Sequence, residues 1–328
     1  MINMLPEIPC PVKFSVLIPV YNSEESLPLV LEGVRKVFQK NGYSYEFVLV
    51  DDGSSDNSWA QIQLQHQHGD ICAIRFLGNK GHSVAMKRGL EFCQGEWTIT
   101  MDDDLQHPPS ELPKLIDAAI NDSDIDVIMG AYGASRGAVH KTLGSRLYQF
   151  VLKKSFSIPA DLVMTSFRVI HRRVVSELVA RNLSSPHAAF MILSSTKRIK
   201  NVEVERHDRA YGKSGMTLKK SITTLLDSLV LNSEWPLKVI GLGGLALSAS
   251  AAVLACYYML KYLVGDIGVS GFTTSVLLIT GFSGIILASI SVVGLYIMRL
   301  IQQATFTPSY SLRNHLPRPS SQAASSNK

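Results

Sequence analysis

The segment "ITMDDDLQHPP" (Ile99 to Pro109) sets three carboxylates in a row behind an apolar run. At ~5 Å and an effective dielectric near 20, each like-charged pair costs roughly 3 kcal/mol. A solvated acidic loop could relieve that cost. The preceding "GEWTIT" argues against it, because it reads as a buried strand that delivers Asp102, Asp103 and Asp104 to its carboxyl end. In an open α/β sheet that edge is where ligands bind. A divalent cation would turn the repulsion into coordination, and hard oxygen ligands suit Mg²⁺ or Mn²⁺. Asp102 and Asp104, two residues apart, can point to one side of an extended chain.

A second acid pair sits in "VLVDDGSSD". Asp51 and Asp52 follow an apolar strand, and a carboxylate there can accept hydrogen bonds from a base N–H or ribose hydroxyls. The same residues also suit a turn and a helix cap.

Positioning these acids requires strands and helices in alternation. "KFSVLIPV" is β-branched and short, as a buried parallel strand is. Glu24 to Lys40 follows helical periodicity through Leu27, Val30, Leu31, Val34 and Phe38. "YEFVLVD", "ICAIRFL" and "EWTITM" are further strands, with helices ending near Gln65 and over "GHSVAMKRGLEFC". A helix near Ser110 to Asn121, strands at "DVIMG", "FRVIHRR" and "KNVEVER", and an amphipathic helix at "KTLGSRLYQFVLKK" complete the domain. This alternation predicts an α/β fold with a doubly wound, mostly parallel sheet. No GxGxxG follows the first strand, which disfavours a dinucleotide-binding Rossmann domain.

The chain has 328 residues, 46% of them hydrophobic, with a net charge of +5. That charge is too weak by itself to argue for nucleic acid; it suits an anionic membrane surface or phosphate-bearing ligands. Four cysteines without paired spacing read as reduced thiols, not a disulfide frame or zinc site. Residues 1–12 show no secretory signal.

The hydrophobic excess lies late in the chain. Residues 216–236 place Leu218, Ile222, Leu225, Leu226 and Leu229 on one face beside Lys219 and Lys220, as in a helix at a membrane surface. Val239 to Val264 carries one charge, Lys261, and Phe272 to Met298 carries none. At 1.5 Å rise each run reaches roughly 39–40 Å, enough to cross a ~30 Å hydrocarbon core with tilt. A transmembrane hairpin over 237–302 is the expectation. Lys238 and Arg299 flank it and the connecting loop has no Lys or Arg, which places both termini and the domain in the cytoplasm. Residues 303–328 read as a disordered polar tail.

Taken together, "IPVYNSEESL", "VLVDDGSSDNS", "NKGHSVAMKRGL" and "MDDDLQHPP", in this order and followed by the hairpin, resemble the inverting GT-A-fold glycosyltransferases. Within these they resemble the polyprenyl-phosphate glycosyltransferases, which include dolichol-phosphate mannose synthase and the bacterial undecaprenyl-phosphate sugar transferases. The resemblance spans roughly residues 13–300 and is strongest through Pro109. It implies a domain over 13–215 at the inner membrane that binds a nucleotide-diphosphate sugar through Pro19, Tyr21, Asn22, Glu24, Asp51, Asp52, Asn79, Gly81, Asp102 and Asp103. It implies Mg²⁺ or Mn²⁺ on Asp104 and Gln106 with Asp102 near the metal or sugar, and a catalytic role for Asp102, Asp104 and Arg168. His107 would be a second-layer or solvated group. A polyprenyl phosphate acceptor would meet Arg136, Lys141, Ser145, Arg206, Arg209, Lys213 and Ser214.

Two departures stand out. Many family members carry Asp-Phe-Arg where this chain has Ser166-Phe167-Arg168, and Met216 replaces the usual aromatic. The acceptor is already mostly dianionic near pH 7, with a second pKa of about 6, so loss of a base is tolerable. The short hairpin favours uridine over guanosine in the donor, and hairpins of this kind could pack between subunits. Two other functions stay open. A processive polysaccharide synthase is disfavoured by two spans and no Gln-x-x-Arg-Trp. A nucleotide-binding membrane scaffold without turnover has Ser166 as its only hint.

Overall fold

The computed structural model describes residues 13–132, 162–180, 192–205 except 194, a scatter of positions between 242 and 300, and 312–318. The chain divides into two compact units, and the sheet lies wholly in the first; residues 216–307 fall in the second.

The described strands and helices run β1 (Phe14–Val20), α1 (Ser26–Asn41), β2 (Tyr45–Asp51), α2 (Ser58–Gln65), β3 (Ile71–Phe76), α3 (His82–Leu90) and β4 (Trp97–Thr100). Then come α4 (Leu112–Ile120), β5 (Val127–Tyr132), β6 (Arg168–His171), α5 (Arg172–Ala180), β7 (Ile199–Val204) and β8 (Leu312–Leu316). The sheet order is β7-β5-β6-β4-β1-β2-β3-β8. Pairs β1–β2, β1–β4, β2–β3 and β5–β7 are parallel, whereas β4–β6, β5–β6 and β3–β8 are antiparallel. The mixed sheet agrees with the expected α/β class.

Alternation along the strands builds two cores. Phe14, Val16, Ile18 and Val20 of β1 face one side, against Leu27, Leu31 and Phe38 of α1 and Leu112 and Leu115 of α4. Leu17, Val50 and Ile74 face the other, against Ala85 and Met86 of α3 and Val174 and Leu178 of α5. Each fully buried Leu, Ile or Phe contributes about 1.5–3 kcal/mol, so packing outweighs weak local signals. α1, for example, has no side-chain N-cap hydrogen bond. Its Pro28 sits in the first turn, where no intrahelical N–H is lost.

One reading of the tail is corrected. Within 303–328, taken above as disordered, Leu312–Leu316 forms an edge strand antiparallel to β3. Its burial pattern, only partly covered at both ends and exposed between, leaves no hydrophobic period to read. What recruits it is the free hydrogen-bonding edge of β3. Arg318 then pairs with the buried Glu46 and donates to the Phe92 carbonyl.

Described positions between 242 and 300 are helical, except 271. Among the described residues, no helix is long and apolar enough to cross a membrane. Most of the expected hairpin, and all of the 216–236 helix, lie outside the described residues.

Candidate active site

The chain runs outward from β1 through β2 to β3, then returns to the other side of β1 as β4. This reversal opens a crevice beyond the carboxyl ends of β1 and β4, the place where open α/β sheets bind ligands. The segments after β1 and β4, residues 21–25 and 101–107, meet there.

The wall formed after β2 and β3 is braced by its own acids. Asp51 is fully buried and accepts a hydrogen bond from the Ser54 N–H at 2.8 Å. Its Oδ2 lies 2.9 Å from Arg75 Nε, an ion pair without hydrogen-bond alignment. Asp52 accepts from the N–H groups of Lys80 (2.6 Å) and Gly81 (2.8 Å). Burial raises the Asp52 pKa, and those two N–H groups oppose it only in part. Gly53, at φ +72°, touches the next loop so closely that a Cβ would lie 2.6 Å from the Gly78 carbonyl carbon. Asp52, read above with Asp51 as a nucleotide acceptor, also ties the two loops together through these protein partners.

The loop after β1 is latched in the same way. Asn22, in a left-handed conformation at φ 53°, accepts from the Ser55 N–H (2.9 Å) and donates its own N–H to Ser54 Oγ (3.0 Å). Glu24 accepts from the Asn57 N–H at 2.9 Å and donates its N–H to Asp56 at 3.1 Å. Pro19 is the penultimate residue of β1. Tyr21 is 48% exposed, leaving its ring available to a flat ligand. Asn79 is exposed, and Gly81, at φ +96°, precedes α3.

The three acids take different partners. Asp102 turns toward α3 and the approach to β6: Oδ1 lies 3.1 Å from His82 Nε2, and Oδ2 accepts from Ser166 Oγ at 2.7 Å. Burial alone would raise its pKa, but His82, the His107 charge and the Ser166 hydroxyl outweigh that and hold it well below the usual carboxylate range. His82 is itself shifted up: burial favours its neutral ring, and the bond and charge of Asp102 prevail. Asp103 turns to the β1 loop, accepting from the Tyr21 N–H (3.1 Å) and the Ser23 hydroxyl. Burial drives its pKa up to about 6, aided by the charges of Asp102 and Asp104 and opposed by its two donors. Asp104 accepts from the Gln106 N–H at 3.1 Å across Leu105, whose φ of 61° is uncommon for a branched residue. Among the described residues, no three His, Cys, Asp or Glu side chains converge closely enough to hold a metal ion.

Behind the acids, Arg168 is buried and its Nε donates to Thr100 Oγ1 at 3.1 Å, while its Nη1 has no hydrogen-bond partner among the described residues. Burial pushes its pKa down to about 10 against the support of Asp102, so it stays cationic at neutral pH. His107 is buried too, stacked 4.9 Å from Phe167, and its Nδ1 accepts the Asp102 N–H at 3.2 Å. That bond leaves the ring's hydrogen on Nε2 when neutral.

This arrangement places acids, a buried cation and an exposed aromatic around one sheet crevice. Residues 15–179, half of the chain, match the family described as Glycosyl transferase family 2. The chain belongs to that family. It is also 29% identical over 307 residues, 92% of its own length and 93% of the relative's, to the undecaprenyl-phosphate 4-deoxy-4-formamido-L-arabinose transferase of Photorhabdus laumondii. The Serratia proteamaculans protein of the same name is 28% identical over 304 residues, 91% and 92% of the two chains. These similarities bear out the resemblance to polyprenyl-phosphate glycosyltransferases. Among solved structures, glucosyl-3-phosphoglycerate synthase from Mycobacterium tuberculosis, crystallised with Mn²⁺ and uridine diphosphate, overlaps 67% of this chain and 77% of its own. That overlap has a TM-score of 0.48 at 14% identity.

Of the expected site residues, Pro19, Tyr21, Asn22, Glu24, Asp51, Asp52, Asn79, Gly81, Asp102, Asp103, Asp104, Gln106 and Arg168 lie on the loops and strand ends around this crevice. The acceptor set, Arg136, Lys141, Ser145, Arg206, Arg209, Lys213 and Ser214, lies outside the described residues. Sequence reading missed His82 and the donor role of Ser166. A histidine opening a helix after "NKG" was visible, but its partner lies 20 residues away across the crevice.

Proposed function

We propose that the chain transfers one sugar from a nucleotide-diphosphate sugar, with uridine as the base, to a polyprenyl phosphate at the inner membrane. The observation that carries this reading is the acid triplet at the sheet's switch point in a family 2 glycosyltransferase. Whole-length similarity to transferases named for undecaprenyl phosphate supports the acceptor.

In the reaction an acceptor phosphate oxygen attacks the anomeric carbon as the bond from that carbon to the donor's diphosphate oxygen breaks. The electron pair leaves with the nucleotide, and one displacement inverts the centre. The acceptor is largely ionised at neutral pH, so no base must remove a proton. Ser166, in place of the Asp that the family resemblance implies, fits that chemistry.

The donor set fits Mg²⁺ or Mn²⁺: Asp104 and Gln106 offer hard oxygens, and three successive carboxylates supply negative charge beside them. Such an ion, once bound, offsets the charge that develops on the leaving diphosphate. Arg168 adds fixed positive charge from behind Asp102. Tyr21 is placed to stack on the base. The acceptor phosphate would be met by the basic residues between Arg136 and Lys213.

Membrane attachment draws support from two features. Described helical positions leave Leu242, Val253, Leu260, Ile279 and Ile290 each more than half exposed. Also, β7 and β8 share one sheet, so the intervening chain leaves and re-enters on the same side. That return suits a hairpin over 239–264 and 272–298, which would keep both ends of the segment on one side of the bilayer; the flanking Lys238 and Arg299 favour the cytoplasmic side.

Purified full-length protein in detergent, given Mg²⁺ or Mn²⁺ and labelled UDP-sugars, should pass label to undecaprenyl phosphate as a monophosphate-linked single sugar. No labelled lipid across a broad donor panel would refute the reading. Nucleotide binding without turnover would favour the scaffold alternative.

A further inference from the structure

We propose that His82 and Ser166 are positioning residues that clamp Asp102 from opposite sides and aim its remaining lone pairs at the donor. Asp102 stands beyond the last paired residue of β4, where no sheet hydrogen bond fixes it. Two distant elements do so instead. Nε2 of His82, the first residue of α3, meets Oδ1 at 3.1 Å, and the Ser166 hydroxyl meets Oδ2 at 2.7 Å. The second arm is itself held. Arg168 Nε donates to Thr100 Oγ1 (3.1 Å), and the Thr100 hydroxyl donates to the Ser166 carbonyl (2.6 Å). The Asp102 N–H is anchored separately on His107 Nδ1 at 3.2 Å.

Each carboxylate oxygen accepts two hydrogen bonds, so one donor apiece leaves Asp102 able to take ligand hydroxyls in a fixed direction. His82 is 53% exposed at the side chain, so the first arm also borders the cleft. The clamp explains the departure at position 166. An aspartate there would set a second carboxylate against Asp102, whereas serine supplies a donor. The kinetic readout of this inference rests on the glycosyl-transfer reading.

The test compares His82→Phe, His82→Gln, Ser166→Ala, Ser166→Thr, Asp102→Asn and the His82→Phe/Asp102→Asn double variant as full-length proteins. Donors are UDP-4-deoxy-4-formamido-L-arabinose and UDP-glucose, with undecaprenyl phosphate as acceptor. His82→Phe and Ser166→Ala should each raise the donor KM about tenfold or more while the acceptor KM stays within about twofold. Gln and Thr, which restore a donor, should recover most of it. The double variant should be no worse than Asp102→Asn, because His82 acts through Asp102. Unchanged donor KM in both truncations, or additive losses in the double variant, would overturn the clamp. If the parent turns over neither donor, that failure counts against the function alone. The same variants' melting temperatures without ligand then decide the clamp: non-additive losses support it and additive ones overturn it.

Discussion

Asp103 occupies the place between the two acids of the Asp-x-Asp-x-Gln pattern, and its carboxylate joins the β1 loop to the acid triplet through the Tyr21 N–H and the Ser23 hydroxyl. Its pKa, about 6, lies above the unfolded value of roughly 3.9. The folded state therefore holds this proton more tightly than the unfolded one. The stability it lends is full below about pH 4 and is lost as pH rises through 6. Asp103→Asn keeps an acceptor without the ionisation cost, so its melting temperature relative to the parent should improve from about pH 4 to about pH 7 and level off above that in metal-free buffer. A difference that is flat or declines with pH would contradict this assignment. At this scale the types of the site residues were legible, because carboxylates after apolar strands announce themselves. Their partners were not. Ser166 and Asp102 are 64 positions apart, and only the β4–β6 pairing brings them together.

β1 to β4 were readable from short β-branched runs, and α1 from its apolar stripe, since burial on both sheet faces dictates those patterns. The antiparallel insertion of β6 between β4 and β5 was not readable, because alternation carries no information about neighbour order. Close loop contacts were equally hidden. At Gly53 a side chain would meet the Gly78 backbone at 2.6 Å, with φ at +72°. The left-handed conformation alone costs a non-glycine residue about 1–2 kcal/mol. Gly53→Ala should therefore lower the melting temperature by roughly 3–8 °C, measured by circular dichroism. An unchanged melt would mean that the two loops are not interlocked.

Across the whole molecule, the C-terminal strand closes the sheet edge after the long apolar region. Glu46 is buried and accepts from Ser15 Oγ (2.6 Å) and the Gln94 N–H (2.8 Å), with Arg318 as its charged partner. His66 Nε2 lies 3.0 Å from the Pro317 carbonyl oxygen, a further tie to the same segment. Arg318→Ala leaves Glu46 short of its only ion-pair partner among the described residues and should cost about 1–3 kcal/mol, read by denaturant unfolding in detergent. Arg318→Lys should recover part of the loss. Equal stability in parent and Ala variant would show that the tail is not a working part of the fold. This closure was illegible in sequence because "LRNHL" has no apolar period. Polar composition suggested disorder, whereas backbone pairing with β3 decided the outcome.

The central claim is that an oxygen-donor site at Asp104 serves transfer of a sugar from a nucleotide diphosphate to a lipid phosphate. The most direct measurement is single-turnover transfer from labelled UDP-sugar to undecaprenyl phosphate by the full-length protein, before and after chelation, and by Asp104→Ala. The account predicts transfer that chelation abolishes, that Mg²⁺ or Mn²⁺ restores, and that Asp104→Ala lowers at least about 100-fold. Transfer at the parental rate in the chelated protein and in Asp104→Ala would contradict it.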